Sequence, residues 1–303
     1  MKNLAPTARH STRLLPAIAL ALATTVAPAR AAEPARAAAP APDKTRYDLF
    51  HPTPLAELRE LKTDRPDKTE SPFTVDAGRF QFEMDLVTFA YDRYNSARDG
   101  TVVRTWNFAP INLKAGLRHD LDLQVVVHTF TYVRTTDPAT GTQRQRGFGD
   151  LVTRLKWNLW GNDGGTTAFA LLPYLKLPTS QDQLGNRSVE GGLILPFNVE
   201  LPAGWGLALM SQFDLLRGVA TSSHQPRFVN SVSVGHDLVG ELAGYAEFYS
   251  SVSTERGAPW VGTLDFGLTY GLTKNIQLDA GINIGVTRSA DDWNPFVGLS
   301  FRF

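Results

Sequence analysis

From Gly78 onward the chain alternates apolar and polar residues with a period of two. Phe80, Phe82, Met84 and Leu86 share one parity, with Gln81, Glu83 and Asp85 on the other. Leu121, Leu123, Val125 and Val127 stand against Asp122, Gln124 and His128. Leu151, Leu155, Trp157 and Leu159 oppose Asp150, Arg154, Lys156 and Asn158. Ile276, Leu278, Ala280, Ile282 and Ile284 oppose Gln277, Asp279 and Asn283. The last run sets Trp293, Pro295, Val297, Leu299, Phe301 and Phe303 against Asn294, Gly298, Ser300 and Arg302. Such dyads fit strands with one apolar and one polar face. The pattern predicts twelve strands near 79–91, 104–117, 121–134, 149–160, 166–178, 189–201, 205–216, 226–235, 241–252, 259–272, 276–286 and 293–303, with phase shifts around Pro110 and Pro173. They are long for globular strands and suit tilted membrane strands of about 9–11 residues plus overhang.

The predicted connections alternate long and short without exception. The short ones are Arg118 to Asp120, Gly161 to Gly165, Pro202 to Gly204, His236 to Gly240 and Thr273 to Asn275. A soluble sandwich has no reason to gather its tight turns at one end. A barrel of the outer membrane does, with short periplasmic turns, longer outside loops and an even strand number. All six tryptophans fall near strand ends, Trp106, Trp260 and Trp293 at the outer end and Trp157, Trp160 and Trp205 at the inner. The indole favours the headgroup boundary, so this placement reads as two aromatic girdles.

The N-terminus sets the compartment. Lys2, Arg9 and Arg13 precede an apolar run from Leu14 to Ala27, and Ala29-Arg30-Ala31 offers small residues at a cleavage site. Residues 1–31 are therefore expected to be a signal peptide, with Ala35-Arg36-Ala37 a second cleavage candidate. Residues 32–75 read as a periplasmic lead segment, rich first in Ala, Pro and Arg, with a helix expected from Leu55 to Lys62. We expect that helix and the charges from Asp64 to Lys68 to enter the barrel mouth as a partial plug; the alternative is a solvated tail. Residues 76–303 form the barrel. The fold class is all-β, an antiparallel transmembrane β-barrel of about twelve strands behind a short N-terminal segment.

Composition adds limits. The formal net charge is +0 and no cysteine is present, which suggests no nucleic-acid partner and no disulfide framework. A mean hydropathy of −0.17 looks soluble, as a barrel does when every second residue faces a polar lumen.

Parity assigns the lumen. It turns Glu83, Asp85, Asp122, Asp150, Glu200, Asp214, Glu247, Asp265 and Asp279 inward, with Lys114, Arg154, Lys156, Lys176 and Arg302. A Lys or Arg on the lipid face would cost about 2–4 kcal/mol at the bilayer midplane. Charges of mixed sign, with an acidic excess, either line a pathway or cross-link the wall. His128 is the one histidine well inside a strand and joins the lumen set. No nucleophile elbow, phosphate loop or zinc motif occurs, so neither catalysis, cofactor nor metal is expected.

Several segments resemble a family of outer-membrane transporters named for the MetA pathway of phenol degradation. They are Gly147-Phe148-Gly149-Asp150-Leu151, Leu175-Lys176-Leu177-Pro178-Thr179, and the unit from Tyr270 to Leu278, echoed by Ala115 to Leu123. The leader Thr63-Asp64-Arg65-Pro66-Asp67 is similar too, so the resemblance covers residues 63–303. It implies a barrel that moves small solutes, aromatic compounds among the candidates, while its turn motifs say nothing of substrate. Rival readings are an outer-membrane enzyme acting on lipid and a structural or adhesive surface barrel. Expected partners are membrane lipid and lipopolysaccharide, a small solute, and the barrel-assembly machinery, for which Phe301 and Phe303 form the terminal signal.

Overall fold

The structure, a computed structural model, describes residues 43–95, 99–219 and 223–303. The expected signal peptide and the start of the lead segment lie outside the described residues.

Fifteen strand segments build twelve staves. The first stave is β1 (Phe80–Asp92). Three staves are each broken in two, as β2 (Val102–Phe108) with β3 (Ile111–Arg118), β4 (Leu121–Val127) with β5 (Phe130–Asp137), and β6 (Gly141–Gly147) with β7 (Leu151–Trp160). The rest are β8 (Thr167–Leu177), β9 (Glu190–Leu201), β10 (Trp205–Arg217), β11 (His224–Val239), β12 (Leu242–Ser253), β13 (Val261–Thr273), β14 (Ile276–Gly285) and β15 (Trp293–Arg302). Neighbours pair antiparallel, and β15 returns to β1 with Phe82 opposite Phe301 and Tyr91 opposite Trp293. The sheet is a closed twelve-stave barrel with no free edge around its lower half.

The three broken staves kink side by side. Ala109 takes a left-handed φ of 49° before Pro110, which has no N–H for the ladder. The Thr129 hydroxyl donates to the carbonyls of Phe108 and Ala109, at 2.5 and 2.7 Å, and so replaces lost ladder bonds. Gly149 closes the row, where a Cβ would lie 2.6 Å from that of His128.

Burial is inverted relative to a water-soluble protein. Glu83, Asp122, Lys156, Asp214, Asp265 and Ser300 are at most 2% exposed. Leu123, Trp157, Leu193, Phe213, Phe228, Phe266 and Val297 are between 36% and 48% exposed. A belt of exposed apolar side chains around every stave far exceeds what a soluble monomer leaves bare. Lipid is the solvent that removes the cost, and strands are what cross it; no described helix is long and apolar enough to span a membrane.

Three expectations need correction. The Leu55–Lys62 helix is only a 3-10 turn, Leu55–Glu57. Beyond it the Arg59 N–H donates to Asp76 and its guanidinium to Asp163, so tertiary bonds hold the chain extended. The long connection expected before residue 149 is strand instead. β5 and β6 pair from Thr131 opposite Gly147 to Asp137 opposite Gly141, with only Pro138 to Thr140 between them. Loop lengths therefore do not alternate without exception. Gly147, with a φ of 141°, and the kink beside it disguised the shared stave as a loop. The turn at His236 also narrows, since β11 runs on to Val239.

The seam between β1 and β15 is stacked with rings. Phe82 lies 4.9 Å from Phe301, and Phe303 lies 5.8 Å from Phe80 and 5.5 Å from Phe82. Phe80 and Phe303 also exchange backbone hydrogen bonds at 3.0 Å. Removing the Phe303 ring forfeits its contacts with Phe80, Phe82 and Phe301, about 0.5–1.5 kcal/mol each, at the point of closure. Phe303→Ala should lower the fraction of chain recovered as folded barrel in the membrane, read by heat-shifted gel migration; an unchanged fraction would show that closure does not need the ring.

Candidate functional site

The lumen is filled by residues of the lead segment. Asp64, Arg65, Lys68 and Glu70 of that segment each meet an opposite charge on the wall. Asp64 accepts from the Lys114 and Lys156 ammonium groups, both at 2.5 Å. Lys114 also pairs with Glu83, whose carboxylate takes the Asp64 N–H. Arg65 bridges Asp85 at 2.7 Å and Asp279 at 2.6 Å. Lys68 pairs with Asp265 at 3.0 Å, while its N–H and the Thr69 hydroxyl donate to Glu247. Glu70 meets Arg154 at 2.5 Å.

At the short-turn end one carboxylate anchors the root of the segment. Asp76, almost wholly buried, is paired with Lys44 at 3.3 Å, Arg59 at 3.5 Å and Arg302 at 3.3 Å. The Val75 N–H donates to Asp122 at 3.0 Å. Gly116 has no side chain because the Asp76 carbonyl lies 2.1 Å from where its Cβ would be.

The lead segment's own acids divide by neighbourhood. Burial alone would raise Asp64, but Lys114 and Lys156 outweigh it and hold the carboxyl well below its ordinary value. Asp67 has no ion-pair partner among the described residues; burial first, and then the Glu247 charge, push it up to about 8. Burial also raises Glu70, with Arg154 opposing it in part. At the root, the Arg59 hydrogen bonds and charge overcome burial and lower Asp163.

Ten of the candidate lumen residues thus meet the lead segment: Glu83, Asp85, Lys114, Asp122, Arg154, Lys156, Glu247, Asp265, Asp279 and Arg302. The others do not. Asp214 stays within the wall, bonded to Tyr174 at 2.5 Å and Arg227 at 2.8 Å. Asp150 and Lys176 pair with each other near the long-loop end. His128 lines a cavity of about 360 Å³ on the outer side of the segment, together with Thr88, Asn107 and Arg154. Glu200 is exposed and borders a cavity of about 430 Å³ at the periplasmic side, near Arg59 and Arg302. A third cavity of about 260 Å³ lies against Lys68 and Tyr249.

Sequence reasoning missed the apolar part of the lumen. Leu172, Ile194, Met210 and Val229 form a buried cluster on β8 to β11, flanked by Tyr174 and Tyr249. Parity could have found it, because Met210 shares a face with Asp214 and Leu172 with Lys176. The lead segment covers this wall, with the Glu70 N–H 3.4 Å from the Met210 sulfur. Sequence reasoning placed the Leu55–Lys62 stretch and the Asp64–Lys68 charges in the barrel mouth but singled out no role for Arg59, Asp67 or Asp76, since a segment without periodicity gives no parity to read.

One solved structure shares the fold, and others are more loosely similar. An outer membrane channel from Pseudomonas putida is 13% identical, with a TM-score of 0.54 over 80% of this chain and 100% of that one. The β domain of the Bordetella autotransporter BrkA is 14% identical, at a TM-score of 0.48 over 74% and 98%. The NanC porin is 9% identical, at 0.47 over 73% and 98%. No curated protein matches the chain. Residues 63–303 match the family described as "Putative MetA-pathway of phenol degradation", a span that runs from the lumen-filling segment to the closing strand. The chain is an outer-membrane β-barrel and belongs to that family.

Proposed function

We propose that the barrel passes small, partly apolar solutes, aromatic compounds among them, without chemical change, and that the lead segment is the plug that gates it. The observation that carries this reading is the two-sided lumen. One wall is charged and tied to residues 64–70, while β8 to β11 carry a buried apolar patch of Leu172, Ile194, Met210 and Val229, with Tyr174 and Tyr249 packed against it. A barrel lumen is ordinarily polar. An apolar strip inside it is a surface along which an aromatic ring loses little on leaving water. The family's description, which links it to phenol degradation, supports the same class of solute.

The remaining assignments belong to this proposal. Residues 1–31 are removed on export and residues 32–75 are the plug segment. The candidate lumen residues named above are its seat. The outer face meets lipopolysaccharide, and the closing strand with Phe301 and Phe303 is what the barrel-assembly machinery receives.

Removing one partner from a buried ion cluster costs about 3–5 kcal/mol, because the group left behind keeps its charge without compensation. Asp64→Ala leaves both Lys114 and Lys156 short of a counter-charge and should weaken the seat by that order. In planar bilayers its open fraction should exceed that of the native chain, and a chain without residues 43–75 should conduct at least as freely. Equal conductance of all three would overturn the plug; no conductance or phenol flux from any of them would overturn the pathway.

The seat should also depend on pH. Asp67 keeps a proton while the plug is in place, to about pH 8, but loses it near pH 4 when exposed to water. The seated state therefore binds more protons between those values, and its stability falls as pH rises through them. Asp64 works the other way, but only below the ordinary carboxylate range. Openings should grow more frequent from pH 6 to pH 8.5, and Asp67→Asn should flatten that slope; an unaltered slope in the variant would assign the pH response elsewhere.

A further inference from the structure

The outer rim carries a row of arginines with no ion-pair partner among the described residues. Arg104 on β2 lies directly opposite Arg134 on β5, and Arg134 opposite Arg144 on β6. Residues directly opposite each other in a ladder share a face, with Cβ atoms about 4.5–5.5 Å apart. Arg146 stands one step lower, opposite Tyr132.

This face is the outer one. Asn107, whose parity is opposite to that of Arg104, bonds Thr88 and Thr131 inside the barrel. Trp106, of the same parity as Arg104, packs against Phe89 at 4.8 Å and Tyr132 at 5.4 Å. The arginine row therefore lies one residue pair, about 7 Å, beyond the outer aromatic girdle. Below the girdle Phe108, Phe130 and Phe148 are 42–51% exposed to the acyl chains.

Three like charges side by side repel, and each needs a reason to be there. None of the four arginines forms an ion pair among the described residues. The Arg104 guanidinium lies over the Tyr91 ring at 5.3 Å, and the Arg134 Nε is buried without a hydrogen-bond partner. The nearest rim acid on β5, Asp137, is occupied with the N–H groups of Ala139 and Thr140 in its own turn. A guanidinium fork matches phosphate oxygens two at a time, and at this height the outer leaflet presents phosphate.

We propose that Arg104, Arg134 and Arg144, with Arg146 beside them, bind the phosphates of the lipid A portion of lipopolysaccharide, whose acyl chains lie on the aromatic surface beneath. The site depends on the outer-membrane setting and not on transport, so it stands or falls apart from the plug.

The test uses the full purified chain in detergent and native mass spectrometry. The probes are lipid A with both phosphates, lipid A with both removed, and phosphatidylglycerol. The native chain should retain the phosphorylated lipid A. Removal of the lipid phosphates, or the triple change R104Q, R134Q and R144Q, should each weaken retention about tenfold or more. Heat-shifted migration checks that the variant folds. If it does not, the single change Arg144→Gln, at an exposed position on the last strand of the upper sheet, should still reduce retention about two- to threefold. Equal retention by native and variant chains, no dependence on the lipid phosphates, or equally tight phosphatidylglycerol would each overturn the proposal.

Discussion

Everything inside the barrel depends on Asp64, a carboxylate held between two buried ammonium groups. Lys114 and Lys156 reach it from separate staves at 2.5 Å, and neither has access to water. A charge in such a place is tolerated only when paired and hydrogen-bonded. Lys114 has Glu83 as well, but Lys156 has no other ion-pair partner among the described residues. The lead segment is thus the missing half of the wall's electrostatics, drawn into the lumen because the staves alone leave unbalanced charge there.

The same constraint orders the rest of the segment. Arg65 answers Asp85 and Asp279, Lys68 answers Asp265, and Glu70 answers Arg154, in sequence across the lumen. Asp67 is the exception, an acid buried near Glu247 with no ion-pair partner among the described residues, and so pushed up to about 8. A seat built from paired charges plus one uncompensated acid is firm without being permanent. The apolar strip on β8 to β11 supplies the opposite quality, a wall that makes few demands on what touches it. Together they give a lumen filled by a segment that polar bonds hold on one side and that packs on an apolar patch on the other.

Much of this was legible in the sequence, and the reasons are specific. Strict alternation in β1, β4, β7, β14 and β15 identified inward charges such as Asp122 and Lys156, because the period of two leaves no freedom once one face must meet lipid. The helix at Leu55 was misread because Pro54 and good helix formers satisfied local rules, while Asp76 and Asp163 captured Arg59 from a distance. The upper half of one stave, β6, was misread because Gly147 and Gly149 look like loop residues and are instead the kink that lets His128 fit. Which wall charge meets which plug charge was not legible at all. Those partners lie far apart in sequence, 214 residues for Arg65 and Asp279, and only closure of the barrel brings them together.

The most direct test of the gating plug uses the absence of cysteine in the chain. The Thr69 and Ser231 hydroxyls, one on the plug and one on the wall, are 2.6 Å apart. A chain carrying Thr69→Cys and Ser231→Cys can be oxidised to tie the plug to its seat, then reduced in the same bilayer. With the disulfide formed, conductance should stay at its lowest level, and a reductant should restore the openings of the untethered chain. Equal conductance before and after reduction, with the cross-link verified, would show that the segment from Thr63 to Val75 does not gate the barrel.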